Sequence, residues 1–194
     1  KGTYAKAALP NMTSGTPTYW MRTSEVLFLK AEAALVWPEF GNAADLYKKG
    51  VEMSFEENGL SAAAADAYLT TSFKPEAVSI FGYTAPAPTE ATTEFSGTTE
   101  QKLEKIMIQK WIALYPNGQE AWTEWRRTGY PVLNQVKYNF GTGHGVTKED
   151  RIRRMMYPES FYQSEQDNAN YQDALAKLGG NDLPTTRLWW DCKK

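Results

Sequence analysis

Two apolar-rich helical runs, broken at Pro38 and Gly41, constrain this chain more than any other feature of its sequence. The first passes through Val26, Leu27, Leu29, Ala31, Ala33 and Ala34, with Thr23 or Ser24 placed to cap its N-terminus by accepting a free backbone N–H. Proline interrupts helical hydrogen bonding and glycine favours a helix end, so the run stops there. Asn42 opens the second run, through Ala43, Leu46, Tyr47, Gly50, Val51 and Phe55, and Asn58-Gly59 closes it. Small residues at Ala31, Ala43 and Gly50, with Tyr47 between the last two, occupy the relative positions at which tetratricopeptide repeats let antiparallel helices approach closely. The match covers one repeat, and a generic αα-hairpin is the other reading.

The rest of the chain continues in the same style. Residues 60–75 allow another short helix, whereas 82–98 carry Gly, Pro, Thr and Ser without periodicity and read as loop. Thr98 and Gln101 form a capping-box pattern ahead of a long helix through Leu103, Ile106, Met107, Trp111 and Leu114. Pro116-Asn117-Gly118 is a turn, and a further helix through Ala121, Trp122, Trp125 and Arg126 ends at Gly129 before Pro131. Residues 137–149 form a second glycine-containing loop, Asn168–Lys177 a short helix, and Gly179–Asp182 a turn. Short strands are conceivable near Val132–Tyr138, but no strand ladder is visible. The expectation is a mainly α fold of helical hairpins with long loops, one domain over residues 1–194.

Several functions are poorly served by this composition. The 21 basic and 23 acidic residues leave a net charge of −2, so no strong field favours nucleic acid or an anionic membrane. No apolar run reaches the roughly 18–20 residues that span a bilayer. With Cys192 the one cysteine and His144 the one histidine, no intrachain disulfide can form, and a structural zinc site lacks its four N or S ligands. No cofactor is expected.

Aromatic residues stand out, with seven Trp and eleven Tyr. Such rings fill cores and also stack on sugars. Trp122 and Trp125, three apart on a helix, read as packing residues, and Trp189 and Trp190 as a lock on the C-terminus. Rings in irregular segments have less packing to explain them, and loops on a rigid scaffold carry function. Trp20, Trp37, Phe81, Tyr83, Tyr138 and Phe140 are therefore the candidate ligand contacts, joined by His144 in Gly141-Thr142-Gly143-His144-Gly145. An ordinary exposed loop histidine is the other reading of His144. Arg126-Arg127 either grip an anionic ligand or bond helix carbonyls and nearby carboxylates. Arg151, Arg153 and Arg154, beside Glu149 and Asp150, read as a solvated charge cluster. Glu120 and Glu124 lie one helical turn apart, which can bring carboxyls to about 5–6 Å, near the spacing of retaining glycosidases. Acidic pairs at this spacing are also ordinary on helix surfaces.

Four ordered segments resemble the SusD/RagB family, in particular its SusD-like branch. They are Arg22–Ala34 with its Ala-Glu-Ala core; Gln109–Tyr115 continuing as Gln119–Pro131; Arg153–Pro158 with Asn168 and Asn170 downstream; and Asn181-Asp182 followed by Leu188–Asp191. Their order and spacing are similar to that family's C-terminal half. The family's N-terminal half and lipid-anchored cysteine have no counterpart among them, and Cys192 is at the wrong end for that anchor. The resemblance implies a longer natural protein, tethered by lipid at the outer-membrane surface. Helix-pair proteins bury apolar faces against neighbouring pairs, so the expectation is either a longer natural chain around this piece or an aggregation-prone fragment. It implies capture of an oligomeric nutrient, usually a glycan and sometimes a peptide, and delivery to a SusC-like TonB-dependent transporter, without catalysis. A glycoside hydrolase built on Glu120 and Glu124 is the alternative from a different class.

Overall fold

The computed structural model describes residues 13–80, 82–136, 140–147 and 151–192. In chain order the elements are α1 (Thr23–Val36), a 3-10 turn (Pro38–Phe40), α2 (Ala43–Glu57), α3 (Ala62–Thr70), strands β1 (Val78–Ile80) and β2 (Tyr83–Ala85), α4 (Thr99–Ala113), α5 (Gly118–Thr128), 3-10 turns at Thr142–His144 and Glu159–Tyr162, and α6 (Glu165–Leu178). The fold is mainly α, as the periodicity requires. Two compact units emerge: residues up to Trp125 with Tyr130–Leu133, and Arg126–Gly129 with the chain from Asn134 onward.

The first unit is built on the α1–α2 hairpin with α4 packed against it. Its core gathers Phe28, Ala31, Tyr47, Val51, Ala65, Ile106, Met107 and Ala113. Gly50 is where α2 comes closest to α1, covered by the Phe28 ring, and Ala31 is fully buried in the same core. Phe28 meets Tyr47 edge-on at 6.3 Å, and Tyr47 stacks on Phe95 at 4.8 Å. Trp125 is buried, in keeping with its packing role.

The N-terminus of α1 departs from expectation. Arg22 occupies the cap position and no side chain of the helix caps it. Ser24 is instead a donor, its Oγ to Glu57 Oε2 at 2.6 Å and its backbone N–H to Glu57 Oε1 at 3.0 Å. A carboxylate from the last turn of α2 thus meets the positive end of α1, a stronger partner than a hydroxyl.

The stretch after α3 is not all irregular. β1 and β2 form an antiparallel hairpin with Val78 opposite Ala85, Ser79 opposite Thr84 and Ile80 opposite Tyr83. Ser79 and Thr84 hydroxyls bond across it at 2.8 Å. Three-residue strands are too short for alternation to register in the sequence. No strand forms over residues 132–136.

The loop that follows is tied down by backbone oxygens. Tyr47 Oη donates to Thr93 O at 2.8 Å, Thr93 Oγ1 to Tyr68 O at 3.1 Å, and Lys105 Nζ to Glu94 O at 2.6 Å. Burial, reinforced by Tyr68, pushes the Tyr47 phenol well above the ordinary tyrosine range, so it remains a donor. Tyr47→Phe leaves a buried carbonyl without this donor, and should cost about 1–2 kcal/mol in urea unfolding. An unchanged midpoint would mean that the bond contributes nothing.

The second unit is organised by buried arginines. Arg154 is paired with Asp182 and lies over the Tyr157 ring at 4.8 Å. Asp182 also accepts the Tyr157 N–H at 3.2 Å and the Tyr171 hydroxyl at 3.4 Å. Asp191, itself 2% exposed, accepts from Arg187 at 2.8 Å and Arg153 at 3.2 Å. The arginine cluster is therefore not solvated as expected: Arg153 and Arg154 find acids far downstream in the chain. Glu149 and Asp150 lie outside the described residues. Arg126 donates to Arg153 O at 2.8 Å and sits over the Trp190 ring at 4.7 Å. Burial lowers the Arg126 pKa, with Asp191 opposing. Of the tryptophan pair, only Trp190 is held in this way; Trp189 is 89% exposed and locks nothing.

Candidate functional site

A groove of about 870 Å³ opens in the first unit. That lies within the range of small-ligand sites, roughly 300–1,000 Å³. The end of α2 contributes Val51, Ser54, Phe55 and Asn58, followed by Leu60, and α3 contributes Tyr68. The end of α4 supplies Gln109, Trp111 and Ile112, and the turn into α5 supplies Tyr115, Pro116, Asn117 and Gly118, with Ala121 behind. Phe55 lies in the last turn of α2, three residues before Asn58, and the turn after α4 carries Tyr115 and Asn117, so rings and side-chain amides line the groove from two sides.

Local hydrogen bonds set the geometry. Gln109 Nε2 donates to Tyr68 Oη at 2.9 Å, holding that ring, which lies 5.6 Å from Phe55 at a 43° tilt. Asn58 Nδ2 donates to Ser54 O at 2.7 Å, leaving its Oδ1 available as an acceptor. Asn117 Oδ1 accepts the Glu120 N–H at 3.3 Å, leaving its Nδ2 available as a donor. Leu60, Ile112 and Tyr115 are exposed. No side chain lining the groove carries a charge.

The aromatic loop residues occupy other places. Trp20 is 95% and Phe140 97% exposed. Trp37 is half exposed with Phe40 beside it at 6.1 Å, Tyr83 is part of β2, and His144 sits exposed in a 3-10 turn. Phe81 and Tyr138 lie outside the described residues. None of the five described residues lines the groove.

Glu124 has a structural partner. Lys110 Nζ is buried 3.4 Å from Glu124 Oε1, with only 1% of the lysine side chain and 12% of the glutamate exposed. Glu25 is buried nearby, its pKa raised mainly by desolvation; Lys110 opposes the rise, while Glu120 and Glu124 add to it. Three of the residues that make the sequence recognisable thus meet in one interior charge cluster. Neither Glu120 nor Glu124 faces the groove. Among the described residues, no group of three or more His, Cys, Asp or Glu is placed to hold a metal ion, and no helix is long and apolar enough to cross a membrane.

Comparisons with known proteins place this arrangement. A family model described as "SusD-like: Susd and RagB outer membrane lipoprotein" matches residues 1–191. Among solved structures, a SusD homologue from Bacteroides thetaiotaomicron is 40% identical, with a TM-score of 0.84 over 94% of this chain and 40% of its own. A chitin-binding SusD homologue from Flavobacterium johnsoniae is 36% identical, with a TM-score of 0.81 over 91% of this chain and 37% of its own. A SusD homologue from Bacteroides uniformis is 36% identical, with a TM-score of 0.84 over 94% and 38%. The chain spans about two fifths of the length of these structures. No curated protein matches the sequence significantly.

Proposed function

The chain belongs to the SusD/RagB family of outer-membrane lipoproteins, and from that premise we propose that it is part of a cell-surface subunit that captures a glycan and passes it to a SusC-like TonB-dependent transporter. The observation that carries this reading is the 36% identity, over 91% of the chain, to a SusD homologue that binds chitin. Recognition alone is the chemistry: the protein holds its nutrient and leaves every bond intact. The buried pairing of Glu124 with Lys110 supports this, because a glycosidase needs both carboxylates at the sugar. Trp20, Trp37, Phe81, Tyr83, Tyr138, Phe140 and His144 are assigned to ligand contact; of these, Trp20 and Phe140 have rings exposed enough to present flat apolar faces to sugar.

Calorimetry with the full-length protein against neutral, acidic and N-acetylated oligosaccharides and against peptides tests the reading. The expected result is saturable binding of at least one glycan class, with no reducing ends released on prolonged incubation. Binding confined to peptides would move the protein to a peptide-capturing role. Binding of neither class would remove the proposal, and sugar release abolished by Glu124→Gln would replace it with the hydrolase.

A further inference from the structure

We propose that the groove at the ends of α2 and α4 is a binding site for neutral, N-acetylated oligosaccharides, separate from the loop residues; this rests on the glycan reading above. Its lining is chemically selective. Charged residues number 44 of 194 in the chain, 21 basic and 23 acidic, yet none lines the groove. A site for uronic acids, sulfated sugars or free amino sugars would need an opposite charge, because an unpaired charge brought into such a surface is expensive to desolvate. Neutral sugars carry no such penalty.

The remaining surface matches two parts of an N-acetylated sugar. Phe55, Tyr68, Trp111 and Tyr115 offer rings for the apolar faces of pyranoses. Asn58 Oδ1 and Asn117 Nδ2, left open by the hydrogen bonds that orient their amides, supply an acceptor and a donor at opposite helix ends. An acetamido group needs this combination, since it presents one N–H and one carbonyl. Hydroxyl groups gain nothing from the exposed aliphatic side chains of Leu60 and Ile112, whereas the acetyl methyl does. The groove is also pre-shaped: the Gln109–Tyr68 bond and the Asn117 cap fix side chains before any ligand arrives.

Three probes decide the matter with the full-length protein: the β-1,4-linked N-acetylglucosamine trisaccharide, its fully deacetylated counterpart, and the β-1,4-linked glucose trisaccharide. Calorimetry should rank them in the order acetylated, glucose, deacetylated, with the last at least roughly tenfold weaker than the first. Tryptophan emission should change on binding, and Trp111→Phe should remove most of that change. Tyr115→Ala should weaken the acetylated probe by about 3- to 10-fold. Ile112→Lys, which puts a charge on the apolar wall, should weaken it by about tenfold or more. Both positions are exposed, so thermal midpoints should be nearly unchanged and serve as a folding control. If the acetylated probe binds but neither variant affects it, the groove is not the site, while the glycan reading stands. Preference for the deacetylated probe overturns the inference in the same way. If none of the three probes binds while another glycan class does, the inference fails alone. If no glycan binds at all, both fail together.

Discussion

Lys110→Ala is expected to cost about 3–5 kcal/mol of stability, because it removes the cation from a buried pair and leaves the acids behind. The ammonium has 1% of its side chain exposed, lies 3.4 Å from Glu124 Oε1, and makes no hydrogen bond among the described residues. Its contribution is therefore electrostatic, exerted where little water screens it. The acids are concentrated: Glu25 is 5% exposed, and both Glu120 and Glu124 act on it. Lys110 works against this by lowering the Glu25 pKa, which burial has already raised above the ordinary glutamate value.

That shift sets the pH dependence. A group whose folded pKa is raised binds more protons folded than unfolded, so its contribution to stability is present below the unfolded pKa and is lost as pH rises through the folded pKa. Without Lys110 the Glu25 pKa rises further, widening that window toward neutrality. The deficit of Lys110→Ala should accordingly be largest near neutral pH and shrink as the solution is acidified toward the ordinary glutamate range. Urea unfolding at several pH values measures this directly. The double substitution Lys110→Met with Glu124→Gln should recover part of the loss, since neutralising both members of a buried pair is cheaper than removing one, while Glu25 still lacks the cation. A single variant as stable as the parent at every pH would show that the cluster is well hydrated and energetically idle.

The elements readable from the sequence are those whose causes are local. The capping box of α4 forms as read: Thr98 N–H donates to Gln101 Oε1 at 2.9 Å and Gln101 N–H to Thr98 Oγ1 at 3.3 Å, three residues apart. Asn42 likewise accepts the Ala44 N–H at 2.9 Å. What escaped has partners far along the chain. Glu57 reaches Ser24 across 33 positions, so the nearer hydroxyls were the reasonable cap. Asp182 reaches Arg154 across 28 positions, and Glu149 and Asp150 suggested a local, solvated pairing instead. The groove was hidden for another reason. Rings on helices read as packing, as Trp122 and Trp125 do, and Phe55, Tyr68 and Trp111 are on helices too. The available signal is chemical and not periodic: a ring and an Asn-Gly pair lie within five residues of each other near two helix ends, at Phe55…Asn58-Gly59 and Tyr115-Pro116-Asn117-Gly118.

Gly50→Val should cost about 3 kcal/mol, at the upper end of what overpacking a core produces. An ideal Cβ at Gly50 would stand 2.7 Å from Phe28 Cε1, 2.9 Å from Cδ1 and 3.0 Å from Cζ, closer than real side chains approach. The ring has little freedom to yield. It is fully buried, its edge is against Tyr47, and Tyr47 is fixed in turn by the stack on Phe95 and the bond to Thr93 O. Gly50→Ala sets two effects against each other. Alanine gains up to about 1 kcal/mol over glycine inside a helix, while the clash costs more, so a net loss of about 1 kcal/mol is expected. The diagnostic experiment is a double-mutant cycle with Phe28→Leu, which alone should cost about 1–2 kcal/mol for the space it leaves. If the ring is the obstacle, the two substitutions compensate, and the double variant is more stable than the sum predicts by about 1 kcal/mol or more. Strict additivity would mean that the hairpin opens to accept the larger residue, and that the small-residue pattern of the sequence does not set the spacing of α1 and α2.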